Sequence, residues 1–148
     1  MAVVGKIDPY DLGRFVETQA GVYAQVLSEL QSGQKRSHWM WFIFPQIRGL
    51  GSSPTAVRYA ISSFEEAGAY LEHPVLGMRL RECTKLVLAV KKKSIGQIFG
   101  YPDNLKFHSS MTLFAHAAEE GGGEFTAALE KYFGGRLDNS TVARLGTV

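Results

Sequence analysis

Four of the five prolines in this chain stand where a helix can begin. Asp8-Pro9 and Ser53-Pro54 each join a capping side chain to a residue that suits a helix's first turn and has no amide to leave unpaired. His73-Pro74 and Tyr101-Pro102-Asp103 mark two further starts. Ser37, Ser94 and the pair Ser62-Ser63, followed three residues on by Glu65 and Glu66, add caps without proline. Gly33, Gly100 and Gly134-Gly135 supply stops. A chain punctuated by helix caps and not by hairpin turns is expected to be all-α: several short helices around one or two longer amphipathic ones.

Periodicity fills in the helices between these marks. Leu12, Phe15, Val16, Val22, Tyr23, Val26, Leu27 and Leu30 recur at helical spacing, predicting one long helix from Asp8 to Gly33. Gln19 lies in the middle of that apolar stripe, so its amide needs a partner in the interior or at a cavity. Phe64, Ala67, Tyr70 and Leu71 make the inner face of a shorter helix. Leu76, Leu80, Cys83, Val87 and Val90 line a long one, closed by Lys91-Lys92-Lys93, where cations suit the carbonyl end of the dipole. After Pro102, Phe107, Met111 and Phe114 point one way with Ser110 at the edge, while His108, Ser109, Thr112 and His116 gather opposite. Residues 119–123 read as a connection and Phe125 to Phe133 as a short helix. Asp138 or Asn139 can cap a last turn.

The densest segment is Lys35 to Gly51, K-R-S-H-W-M-W-F-I-F-P-Q-I-R-G-L-G, which holds both tryptophans. Trp, Phe and Ile favour strands, yet the other strand-like runs, Leu86 to Val90 and Met111 to Phe114, sit inside helical patterns and leave a strand without a partner. A short helix capped by Ser37 and stopped before Pro45 is expected, apolar all round and therefore buried.

With 148 residues, 45% hydrophobic and 20% charged, the chain is expected to form a single domain spanning 1–148, ordered from about 8 to 145. A net charge of +2 is too small to argue for nucleic acid or a membrane surface. The single cysteine excludes an internal disulfide and a thiolate-only metal site. No apolar run of about 20 residues and no basic-then-apolar leader is present, which predicts a soluble, cytoplasmic protein.

Five motifs carry a resemblance: D-P-Y-D-L-x-R-F-V from Asp8, S-H-W-M-W-F-I-F-P-Q from Ser37, the following G-L-G, H-P-V-L-G-x-R-L-R-E-C from His73 and K-x-x-S-S-M-T-L-F from Lys106. Over nearly its whole length the chain resembles a bacterial family of unknown function whose members are sometimes mislabelled calpastatin. The resemblance implies a mainly α-helical fold and brings no agreed activity. Calpastatin-type inhibitors are largely disordered, whereas this composition belongs to a packed domain. Gly13 departs from the family pattern inside the first predicted helix, at a cost of about 1 kcal/mol.

Cys83 on an apolar stripe reads as an inert thiol. His108 has Thr112 four residues on, so no helical histidine pair and no metal site is expected; nor is a cofactor. The glycines of Gly49-Leu50-Gly51 could bring backbone close to a phosphate, but without a Walker lysine a plain turn is preferred. One constellation stands out: Arg36, Trp39, Trp41, Gln46 and Arg48 in the centre, Lys106, Ser109 and Ser110 in the later helix, and Gln19, with His38 as the candidate general acid or base. Aromatic faces stack on a ring, cations and hydroxyls hold phosphates, amides read polar edges. Two function classes follow. The first is a small domain binding or acting on a nucleotide-like or other anionic small molecule. The second is a protein-interaction module that packs a partner or a second copy.

Overall fold

The computed structural model describes residues 7–119 and 121–146. In these the chain forms ten helices: α1 (Gly13–Ala20), α2 (Tyr23–Gln31), α3 (Met40–Ile43), α4 (Pro54–Arg58), α5 (Phe64–Glu72), α6 (Leu76–Ala89), α7 (Ile95–Phe99), α8 (Asp103–Ala117), α9 (Gly123–Phe133) and α10 (Asn139–Arg144). The fold is all-α, and among the described residues the sole β pairing is an isolated parallel bridge between Ile47 and Ile61.

α5, α6, α9 and α8 pack in a closed cycle, each against the next. α2 leans on α6, α7 and α10 lean on α8, and α1 packs against α3. The core is continuous through all of them. Phe44 meets Phe99 and Phe107 edge-on, at ring separations of 5.8 and 5.1 Å, and Tyr70 packs between Phe15 and Phe114 at 5.1 and 5.3 Å.

Several elements depart from the sequence-based expectation. The predicted first helix is two. Gly21 ends α1 and Val22, at φ −130°, starts a new direction, because the halves have different partners: α1 faces α3 and α2 faces α6. Asp8 does cap, but at a distance: its carboxylate accepts the amides of Leu12 and Gly13 at 2.8 and 2.9 Å. Gly13 is thus the first residue of α1, where the cost of an interior glycine does not apply. Only Pro54 opens a helix directly, after Ser53, whose hydroxyl accepts the amide of Ala56. His73 caps α6 with its ring, Nδ1 accepting the amides of Val75 and Leu76. The lysine run lies beyond α6; the carbonyls ending that helix are instead received by Lys131 and Tyr132 of α9, and Lys93 donates to Gly33. Phe64, expected inside, is 47% exposed.

Arg14 joins distant segments. Its Nε donates to the Arg58 carbonyl, Nη1 to Tyr10 and Asp11, Nη2 to Ala60 and to the buried carboxylate of Glu66 at 3.0 Å. Gly77 matters for a different reason: a Cβ there would collide with the Leu71 carbonyl oxygen, so the α5–α6 corner closes only over a bare Cα. Gly77→Ala is expected to destabilise the fold by at least about 2 kcal/mol, read as a lower urea midpoint with an unchanged slope.

Candidate functional site

The central stretch is positioned by one carboxylate. Glu29, on α2 and 5% exposed, accepts the backbone amides of Arg36 and Ser37 at 2.7 and 3.0 Å, the Trp39 indole N–H at 2.9 Å, the Gln25 amide at 3.0 Å and the Ser37 hydroxyl. Ser37 is therefore committed to Glu29, and the short helix starts after Trp39, which holds the N-cap position without a side-chain cap. Burial alone would raise the Glu29 pKa; the Ser37 hydroxyl, the two amides and the indole outweigh it and hold the carboxyl at about 2, against an ordinary 4.5. Glu29 went unnoticed in the sequence, although it lies between Val26 and Leu30 on an apolar face, where an acid needs donors.

Held this way, the stretch sends its two tryptophans to different places. Trp39 is 1% exposed and packs against Phe44 and Phe99. Trp41, two positions along a helix turning 100° per residue, is half-buried and opens to the surface. It lines a groove of about 450 Å³ with Gln46, Gly51, Ser53, Lys106, Ser109 and Asp138 among its walls. The Lys106 ammonium sits 5.0 Å from the Trp41 ring centroid and 3.6 Å from the Asp103 carboxylate. Asp103 also holds Lys35 at 2.8 Å, and Lys35 in turn lies 5.2 Å from the Trp39 ring.

Of the predicted residues, the structure brings together Trp41, Gln46, Lys106 and Ser109. It does not gather the others. Gln19, 1% exposed, donates to the Phe42 carbonyl at 2.7 Å and the Tyr70 hydroxyl at 3.1 Å and accepts from Arg79 at 3.2 Å, so its amide serves the interior. Trp39 is spent on Glu29. Ser110 is fully buried and its hydroxyl has no partner. Arg36 and His38 are exposed and outside the groove. Arg48 lines a wider, shallower depression with Arg14 and Arg58, where the Arg14 donors are already taken by the protein. Gly49 is needed for packing, since a Cβ there would meet the Arg144 guanidinium. Cys83 is buried and its thiol is pushed up to about 12, chiefly by desolvation.

Asp138 is the groove residue that the sequence showed only as a cap. Its Oδ2 accepts the Thr141 amide at 3.1 Å, the Thr141 hydroxyl at 2.5 Å and the Ser109 hydroxyl at 3.0 Å, while its own amide donates to Thr112. The polar side of α8 thereby docks the strap of residues 136–138, helped by His108, which meets the Arg136 carbonyl at 2.8 Å and stacks 4.0 Å over Phe133. Among the described residues, the buried side-chain polar atoms without a partner are Asn104 Oδ1 and Ser110 Oγ. Trp41 Nε1, the Gln46 amide and Asp138 Oδ1 have no hydrogen-bond partner among the described residues either and are not fully buried; all three belong to half-buried residues that line the groove.

The family model described as "Protein of unknown function (DUF1810)" matches residues 9–145. Among solved structures, the crystal structure of the conserved hypothetical protein Rv1873 from Mycobacterium tuberculosis is similar, with 60% identity, a TM-score of 0.93, and coverage of 95% of this chain and 100% of that one. No curated protein matches. No helix among the described residues is long and apolar enough to cross a membrane.

Because the Glu29 pKa lies below its unfolded value, its contribution is full above pH 4.5 and is lost as pH falls toward 2. That contribution is about 3 kcal/mol. Glu29→Gln is expected to be less stable at pH 7 and to lose this acid-linked fall, checked by urea unfolding of both proteins at pH 7, 4 and 2.5.

Proposed function

Since the chain belongs to the DUF1810 family, whose members are of unknown function, we propose a function from the geometry of its groove: it binds a small nucleotide-like molecule, with a planar ring on Trp41 and an anionic group at Lys106. One observation carries this reading. Trp41, Gln46 and Lys106 line the same groove, with the Lys106 ammonium 5.0 Å from the Trp41 ring centroid, and neither Trp41 Nε1 nor the Gln46 amide has a hydrogen-bond partner among the described residues. A core has no use for them there. The tryptophan face offers stacking, the amide a donor and an acceptor, and the ammonium a point charge. His38, exposed and outside the groove, takes no part, so the reading is binding and assigns no reaction.

A second reading, the interaction module, is favoured by Tyr101 and Leu105, 82% and 50% exposed on either side of Pro102, of which Leu105 lines the groove. It predicts sedimentation that depends on concentration and is indifferent to nucleotides.

The two are separated by a thermal-shift and tryptophan-fluorescence titration with AMP, GMP, CMP and UMP. One of these at 100 times its dissociation constant is expected to stabilise the fold by about 2.7 kcal/mol, a shift of a few degrees. Lys106→Ala is expected to weaken it about tenfold, or about 1.4 kcal/mol, and Trp41→Ala to abolish both the shift and the quenching. Unchanged midpoints and spectra with all four nucleotides would count against the reading.

A further inference from the structure

We infer that Asp138 reads a hydroxyl of the bound molecule, so that the groove selects a ribosyl group over its deoxy counterpart; this rests on the nucleotide-like reading above. The carboxylate is asymmetric. Three donors, the Thr141 amide, the Thr141 hydroxyl and the Ser109 hydroxyl, all fall on Oδ2. They fix the rotamer and leave Oδ1, with two lone pairs, without a hydrogen-bond partner among the described residues, on a half-buried residue of the groove wall. An acceptor oriented by three hydrogen bonds and offered nothing to accept from the protein is a preorganised half of a ligand contact.

The surroundings decide the class of donor. Lys106 and Ser109 are three residues apart on α8, about 4.5 Å along the axis, and Ser109 touches Asp138. Lys106, paired with Asp103 at 3.6 Å, and the serine that holds Asp138 thus stand about one helical turn apart on α8. Lys106 disfavours a ligand cation beside Asp138, and Asp138 disfavours a phosphate beside itself. What suits Oδ1 is a neutral donor next to the ring stacked on Trp41: the sugar 2′-hydroxyl, alone or with its vicinal 3′ neighbour.

The same asymmetry supplies a clean variant. In Asp138→Asn the inner position still faces the Thr141 backbone N–H, which can only donate, so the amide oxygen is expected to stay there, with the two hydroxyls still able to donate to it, and the NH₂ to take the place of Oδ1. Asparagine also caps helices as well as aspartate, so α10 is kept. Oδ1 is converted from an acceptor to a donor with little else changed.

The experiment is calorimetric titration of the full chain with the four ribonucleoside 5′-monophosphates and their 2′-deoxy counterparts, on the parent and on Asp138→Asn. The parent is expected to prefer the ribo form of its best ligand by at least about tenfold, and the variant to bring the two forms to within about twofold. Equal binding of ribo and deoxy forms by the parent overturns the role of Asp138 and leaves the groove reading standing. A preference that survives in Asp138→Asn overturns it as well, since another group then reads the hydroxyl. No binding by the parent to any of the eight removes both readings together. The parent's own ratio needs no variant, so a poorly folding Asp138→Asn does not shelter the inference.

Discussion

Five donors on one carboxylate set the course of the middle of this chain. Glu29 gathers two backbone amides, an indole, a hydroxyl and a side-chain amide into a space 5% open to solvent. The segment from Arg36 to Trp39 has no regular structure to satisfy its amides, and amides turned inward from such a segment are costly unless something accepts from them. Glu29 is that acceptor. In exchange the donors keep the charge that burial opposes. With Trp39 pinned, the single turn of α3 has its phase fixed, and Trp41 emerges on the other side. Core and groove are thus two faces of one constraint.

The groove is assembled from parts that the core does not consume. Ser109, Thr112 and His108 on α8 hold down residues 136–138 and bring Asp138 into the groove that Lys106 also lines. The Ile47–Ile61 bridge, with Arg48 donating to Ile61 and Ile61 to Gln46 at 2.8 Å each, fixes where Gln46 sits. Long-range pairs of this type do not show in local sequence.

That distinction explains how much was legible. Helix class, most boundaries and the caps at Ser53, Ser63, Ser94 and Asp138 are local matters and could be read from the residues themselves. The break at Gly21-Val22 could not, because an unbroken apolar stripe spans it and only the separate partners of α1 and α2 require the turn. The need of Gln19 for interior partners was visible from its phase on the helix; their identity, Phe42, Tyr70 and Arg79, depended on tertiary packing. Trp41, Gln46, Lys106 and Ser109 were legible as chemistry, and their meeting in one groove was not. Glu29 and the free oxygen of Asp138 escaped for the same reason: a carboxylate looks solvated until the donors arriving from elsewhere are known.

The bridge between Ile47 and Ile61 bears on more than the position of Gln46. It pins both ends of the loop that carries Gly51, Ser53 and Ala56, and Arg14 clamps the same loop at the Arg58 and Ala60 carbonyls. Closing and ordering a loop of this length is an entropic cost that otherwise falls on the moment of association. Here it falls on folding. A guest in the groove meets a wall already in its final shape, so its association rate should be limited by encounter and orientation, with no loop to wait for.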